Sequence, residues 1–351
     1  MREGEIFSKE THIMNRLLQV IVVCALTASS FAQSKKILLE SNDPALLKQL
    51  QSASAKATIV PITSENVMRE IADADAFIGS IKPEHVRAGK KLQWVQIMSA
   101  GAERVLHLAG GNDLRDSKII LTNNQIVQGP EIADHALGML LMLTRNLHTF
   151  YLNTQQEVWQ APRPFPGIEL NGRTAVVIGV GGIGTQIAFR AWAHGMTVIG
   201  VDPEDIPYMP VISKVVKPDR LDEVLPEADV VFISAPHTTM SHKMMGPHQF
   251  ELMKKGSYFI AVSRGGLYDL NCLVTALQNK QLAGAGVDVT DPEPLPKGHP
   301  LWKFSNVIVT PHVAGRSDKD NARMVGTIQE NIRRFVDGKP LVNVVDKQKG
   351  Y

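Results

Sequence analysis

A chain of 351 residues is too long for one ordinary domain and divides into two lobes of roughly 100 to 200 residues each. Hydrophobic residues at 44% and charged residues at 21% match the soluble globular average, which excludes disordered, collagenous and multi-span membrane chains. The net charge of +2, without basic runs interleaved with aromatics, argues against nucleic acid, and Cys24 and Cys272 alone provide neither a disulfide framework nor zinc spacing, so no metal is expected.

The first element is a short apolar run at residues 17–28, preceded by Arg16 and followed by Ser30 and Ala32, small residues at the positions a signal peptidase inspects. It reads as a secretory signal and is too short for a membrane span, which needs about 20 residues. Met14 is then a candidate start, because residues 1–13 are hydrophilic and acidic where a signal should be basic. Residues 1–32 are thus assigned as signal-like, with a periplasmic or secreted location expected and a cytoplasmic one as the alternative.

Apolar strand-like runs follow at 37–39, 58–62, 76–78, 94–98 and 119–121, separated by helical periodicity such as 45–50 and 67–71. This is an α/β lobe with a mostly parallel sheet. Residues 130–146 predict a helix with an acidic first turn, a basic end and apolar residues on every side, buried between the lobes. A second βα series has strands at 175–180, 197–201, 230–234, 258–262, 284–289 and 307–310, and a closing helix over 318–336 that packs back on the first lobe. The expected organisation is two Rossmann-like lobes with the active site in the cleft between them. Residues 33–130 and 313–351 form a discontinuous substrate-binding lobe, and residues 131–312 the dinucleotide-binding lobe.

The strand ending at Gly179 runs into Gly179-Val180-Gly181-Gly182-Ile183-Gly184 and then a helix, the context in which G-x-G-x-x-G binds a dinucleotide. Gly179 permits the turn, Gly181 lets pyrophosphate approach, Gly184 lets helix and strand pack closely, and amides at Gly182 and Ile183 face the diphosphate. Asp202, 18 residues after Gly184 at the next strand end, would accept hydrogen bonds from ribose hydroxyls and repel a 2′-phosphate. With Glu204 and Asp205 following and no arginine nearby, NAD is expected over NADP. Pro236, after the strand 230–234, is placed among the cofactor contacts.

Arg264, Glu293 and His312 each follow a strand of the second lobe, where open α/β sheets present ligands. Reduction of a ketone needs a proton donor, and His312 can serve near neutral pH, with His237 as its best rival. A glutamate on the other ring nitrogen would fix the tautomer, and a guanidinium can hold a carboxylate while polarising a carbonyl. Glu293 and Arg264 suit those roles.

From Lys36 onward the sequence resembles the D-isomer-specific 2-hydroxyacid dehydrogenases. The resemblance rests on the glycine turn, the Ser-Arg-Gly-Gly-Leu-Tyr-Asp run at 263–269, the Asp-Val then Glu-Pro segment at 288–294, and Thr310-Pro311-His312, in family order. It implies NAD-dependent hydride transfer between a small D-2-hydroxy acid and its 2-keto acid, glyoxylate or hydroxypyruvate being the family-level guess. It also implies Arg264, Glu293 and His312 as the catalytic set, Asp288 on the nicotinamide carboxamide, the run Ser99-Ala100-Gly101-Ala102 as a substrate-binding loop, and a homodimer through the crossing helix and its surroundings. Ala133-Asp134 and Ala261 depart from the family pattern, as does the signal-like segment. Formate or phosphite oxidation is a second reading, against which Glu293 counts because formate enzymes have glutamine there. A non-catalytic NAD-sensing protein on the same scaffold is a third.

Overall fold

The computed structural model describes residues 34–108, 112–165 and 167–351, and the signal-like segment lies outside the described residues. Five strands, β1 (Lys35–Leu39), β2 (Ala57–Pro61), β3 (Ala76–Ile78), β4 (Trp94–Gln96) and β5 (Ile120–Thr122), form a sheet of order β2-β1-β3-β4-β5. A second sheet of order β12-β11-β10-β9-β6-β7-β8 holds β6 (Thr174–Ile178), β7 (Thr197–Val201), β8 (Lys214–Val216), β9 (Val230–Ile233), β10 (Ser257–Ala261), β11 (Leu282–Val287) and β12 (Val307–Val309). Every pairing between these strands is parallel, as the sequence led us to expect of both lobes, and an isolated antiparallel bridge joins Thr122 to Val344. Parallel strands covered on both faces need continuous apolar runs, as in β9, where all four residues are buried. The edge strand β8 escaped the sequence reading because it is three residues long and exposes Lys214 and Val215.

The first sheet carries α1 (Pro44–Gln51), α2 (Val67–Glu70), α3 (Pro83–Ala88) and α4 (Asn112–Arg115) in its connections. The chain then crosses through α5 (Gly129–Thr144) and α6 (Leu147–Gln155). The second sheet is wrapped by α7 (Gly182–Ala193), α8 (Leu221–Val224), α9 (Pro247–Leu252) and α10 (Leu270–Gln278), and α11 (Asp320–Val336) closes the described chain's helices.

In α5, Pro130 and Glu131 suit the first turn, where no intrahelical acceptor is needed and negative charge meets the dipole. The helix stops before Asn146, whose φ of 55° is left-handed. Its buried residues, among them Ala136, Met139 and Leu140, share one core with Ala175 and Val177 of β6 and Ile187 of α7. Asp134, the departure from the family pattern, accepts Arg190 Nε of α7 at 2.6 Å and so ties the crossing helix to the helix behind the glycine turn.

Helix α11 returns to the first sheet, as its amphipathic pattern requires. Val325, Ile328 and Ile332 join Ile37, Leu39, Ile59, Ile78 and Trp94 in one buried cluster, each contributing about 1.5–3 kcal/mol on burial. Beside them the buried Asn331 donates to Gln96 Oε1 at 3.0 Å and accepts from Val342 N at 2.8 Å. Thr122 Oγ1 donates to the same Gln96 oxygen at 2.8 Å and accepts from Trp94 Nε1 at 2.8 Å. This satisfied polar network fixes the β4 and β5 ends that carry the cleft loops.

Candidate active site

The order of the second sheet reverses between β6 and β9, and the glycine turn sits at that switch point. Gly179 has φ of 87°, and a Cβ there would stand 2.5 Å from the Ala235 backbone, so only glycine fits. A Cβ on Gly184 would lie 1.8 Å from Gly179 O, whereas one on Gly181 would meet nothing within 4 Å. Helix and strand are therefore packed to contact, with open space before the first turn of α7. That turn has no side-chain cap, so its amides and dipole are free for an anion. Gly182 abuts Ile126 in the segment leading to α5, and Ile183 packs against the core. The residues present thus fit a dinucleotide diphosphate. Pro236 is exposed just beyond β9, its carbonyl accepting Ser241 Oγ at 2.7 Å.

Asp202 directly follows β7, 7% exposed, and its carboxylate accepts Val180 N at 2.7 Å and Glu204 N at 2.9 Å. Each oxygen keeps spare acceptor capacity for a hydroxyl. The surroundings are less acidic than the local sequence suggests. Lys217 Nζ reaches Asp205 at 2.7 Å and Lys349 Nζ reaches Glu204 at 2.6 Å. Those contacts hold both carboxyls below their ordinary range. The sequence reading counted only neighbours in the chain and so missed both lysines.

On the facing lobe, the loop after β4 runs Ser99-Ala100-Gly101. Asn124 Nδ2 donates to Met98 O at 2.9 Å, Asn123 Nδ2 to Ala100 O at 2.7 Å, and Asn124 N to Ser99 O at 3.1 Å. With its carbonyls so tied, the N–H groups of Ala100, Gly101 and Ala102 have no hydrogen-bond acceptor among the described residues. Such a row of amides suits a carboxylate. Asn123 and Asn124 were missed from sequence, although a pair of asparagines directly after a strand is a loop-building signal.

Arg264 extends from the turn after β10 toward that loop. A Cβ on Gly101 would stand 2.3 Å from its Nη2, so the glycine is what lets the guanidinium reach the amides. Its Nη1 donates to Ser263 O at 2.7 Å and its Nε to Glu103 Oε1 at 2.7 Å. Glu103, from the first lobe, orients the fork while leaving Nη2 toward Gly101. No sequence signal distinguished Glu103 from a solvated acid, since the pairing spans 161 positions.

His312 and Glu293 are brought together, Nδ1 to Oε1 at 2.6 Å, which leaves Nε2 for a substrate atom. His312 has φ of 53°, a strained value for a side-chain-bearing residue, and the strain is held by Asp288. The Asp288 carboxylate, 2% exposed as a residue, accepts Thr310 Oγ1 at 2.6 Å, Val313 N at 2.9 Å and Ala314 N at 2.9 Å. Its carbonyl accepts His312 N at 2.9 Å. His135 of α5 extends the chain, with Nε2 2.9 Å from Thr310 Oγ1. Asp288, expected on the nicotinamide, thus ties the loop that presents His312, with Oδ1 holding two of its groups and Oδ2 the Ala314 amide alone.

The rival His237 lies 3.0 Å from His242 Nδ1 through Nε2 and packs on Gly266, in the same turn as Arg264. Burial first, then the charge of His242, pushes its pKa down. Among the described residues it makes no carboxylate pairing like that of His312.

A glycine turn at a switch point, facing a second lobe across an anion-binding loop, defines a two-lobe dinucleotide-binding protein. More specifically, the chain belongs to the D-isomer specific 2-hydroxyacid dehydrogenase family, whose NAD binding domain matches residues 137–314. It is 32% identical over 308 residues to the D-3-phosphoglycerate dehydrogenase of Methanocaldococcus jannaschii, covering 86% of this chain and 57% of that one. It is 28% identical to the glyoxylate reductase of Korarchaeum cryptofilum, covering 82% of this chain and 87% of that one. The chain spans under two thirds of such phosphoglycerate dehydrogenases, 57% of the Methanocaldococcus jannaschii protein and 60% of the Pongo abelii one. A D-isomer specific 2-hydroxyacid dehydrogenase family protein from Aeromonas salmonicida superposes with a TM-score of 0.73 at 29% identity, covering 90% of this chain and 99% of that one. The fold is shared with the Xanthobacter autotrophicus enzyme solved with NADPH, with a TM-score of 0.77 at 24% identity, covering 91% and 100% of the two chains.

Proposed function

We propose that the protein reduces a small 2-keto acid to its D-2-hydroxy acid with a nicotinamide dinucleotide, NAD(H) before NADP(H). The carrying observation is the 2.6 Å pairing of His312 with Glu293, on strand ends facing the same cleft as Arg264 and the Gly101 loop. The bound nicotinamide supplies the hydride. The Ala100, Gly101 and Ala102 amides with Arg264 Nη2 hold the substrate carboxylate and turn its carbonyl toward the cleft. With Glu293 accepting from Nδ1–H, the protonated His312 ring presents Nε2–H to the carbonyl oxygen and gives up that proton as hydride reaches the carbon, leaving the hydroxy acid and a neutral imidazole. The glyoxylate reductase likeness, which covers most of both chains, supports a substrate as small as glyoxylate or hydroxypyruvate. Asp202 supports NAD(H).

The test is a panel of 2-keto acids with NADH and NADPH on protein starting at Gln33. Turnover should be found with a two- or three-carbon keto acid, and H312Q should lower it about 10²- to 10⁴-fold without weakening the dinucleotide. Dinucleotide binding with no turnover on any keto acid would favour the sensing role instead.

Two further properties belong to this reading. The signal-like run supports export with a mature terminus at Gln33, which mass spectrometry of the secreted or periplasmic fraction would reveal. No helix of the described residues is long and apolar enough to cross a membrane. Helix α6 buries none of its side chains, and Tyr151, Leu152 and Trp159 are exposed, which supports a homodimer formed through this region. Light scattering on the eluted protein should give twice the chain mass.

A further inference from the structure

Residues 346–351 form a closed turn that the proposed reaction does not use. Asp346 N donates to Tyr351 O at 2.9 Å, Gly350 N to Asp346 O at 2.8 Å, and the Asp346 side chain accepts the amides of Gln348 and Lys349 at 2.9 and 3.0 Å. The turn is anchored on the first lobe. Val345 N donates to Leu121 O at 2.8 Å, and Lys347 Nζ donates to the carbonyls of Leu114, Ser117 and Ile119 at 3.0, 2.6 and 2.8 Å.

From this anchor the turn reaches the second lobe, at the strand end bearing Asp202. Lys349 Nζ and the Tyr351 hydroxyl both donate to Glu204 Oε1, at 2.6 and 2.8 Å. Glu204 is itself bound through its amide to Asp202 Oδ1. The lysine is half exposed, so its ammonium can exchange the Glu204 oxygen for another anion at little cost. A cation delivered by the opposite lobe is therefore paired with Glu204, the residue whose amide binds the carboxylate that would read the ribose hydroxyls.

We propose that Lys349 is a specificity-determining residue of the cofactor site, placed to pair with a 2′-phosphate and so to let the protein accept NADP(H) alongside NAD(H) despite Asp202. This rests on the reading that the adenosine ribose lies at Asp202. Lys349 attracts the phosphate and Asp202 repels it, so the preference for NAD(H) is graded. Because the cation comes from the first lobe, the discrimination is complete only when the lobes are together.

The test is titration of the full chain with NADH and with NADPH, followed by nucleotide fluorescence, for the unmodified protein, K349R and K349E. K349E should weaken NADPH by roughly tenfold or more, since reversing a unit charge near a phosphate survives partial screening by water and salt. NADH should change less than about threefold, and K349R should retain NADPH binding. The NADPH-specific difference should shrink at high salt, whereas loss of the interlobe ion pair alone would move both nucleotides alike. Equal weakening of both nucleotides by K349E would overturn the proposal and leave the turn as an interlobe latch. So would an unmodified protein that binds NADH but not NADPH. If the unmodified protein binds neither nucleotide, the ribose assignment itself fails, and the proposal with it.

Discussion

The Asp288→Asn substitution separates two roles for a buried carboxylate at the centre of the site. Asp288 Oδ1 accepts Thr310 Oγ1 and Val313 N, and Oδ2 accepts Ala314 N. Asparagine offers one oxygen and one NH2, so at best the oxygen keeps the first two partners and the NH2 faces the Ala314 N–H, donor against donor. One buried N–H is then unsatisfied, costing about 1–3 kcal/mol. At about 2 kcal/mol, and about 2–4 °C per kcal/mol for a lobe of this size, melting should fall by about 4–8 °C. The loosened loop carries His312 at its unfavourable φ, so turnover should fall more than tenfold while the dinucleotide Kd changes by less than about threefold. Differential scanning calorimetry and nucleotide titration on the same preparations decide the matter. An unchanged melting temperature with strongly weakened nucleotide binding would refute the anchoring role and return Asp288 to contact with the nicotinamide.

Gly101→Ala places a methyl 2.3 Å from Arg264 Nη2 and should raise the KM for keto acid about tenfold or more with NADH affinity intact; an unaltered KM would show that Arg264 does not work against this loop. His85 and His237 both have pKa values pushed down, chiefly by burial. Between those lowered values and about 6.5 the unfolded chain binds more protons than the folded one, so stability rises with pH there and is lost on acidification. The H85Q/H237Q double variant should flatten that slope in urea unfolding measured across pH 5 to 7 at roughly half-unit steps, and an unchanged slope would dissociate these histidines from the effect.

Much of this protein was legible before any coordinates, because the informative signals are local. The apolar runs of parallel strands, the glycine turn between β6 and α7, and the amphipathic stripe of α11 each depend on residues a few positions apart. The placement of Arg264, Glu293 and His312 after strands was local as well. The pairing of Glu293 with His312 was expected from their roles, but the support of the His312 loop by Asp288, which the family resemblance associates with the nicotinamide, has no local signal. Glu103 on Arg264, Asn123 and Asn124 under the Gly101 loop, and Lys349 on Glu204 join residues from different elements or lobes. Hydrogen bonds and ion pairs act over a few ångströms of space whatever the distance along the chain. The sequence alone therefore determined the two-lobe α/β architecture and the residue types of the chemistry. Only the folded chain decided that Glu103 orients Arg264 and that Lys349 meets Glu204, because those partners are set by the packing of the two lobes and not by adjacency.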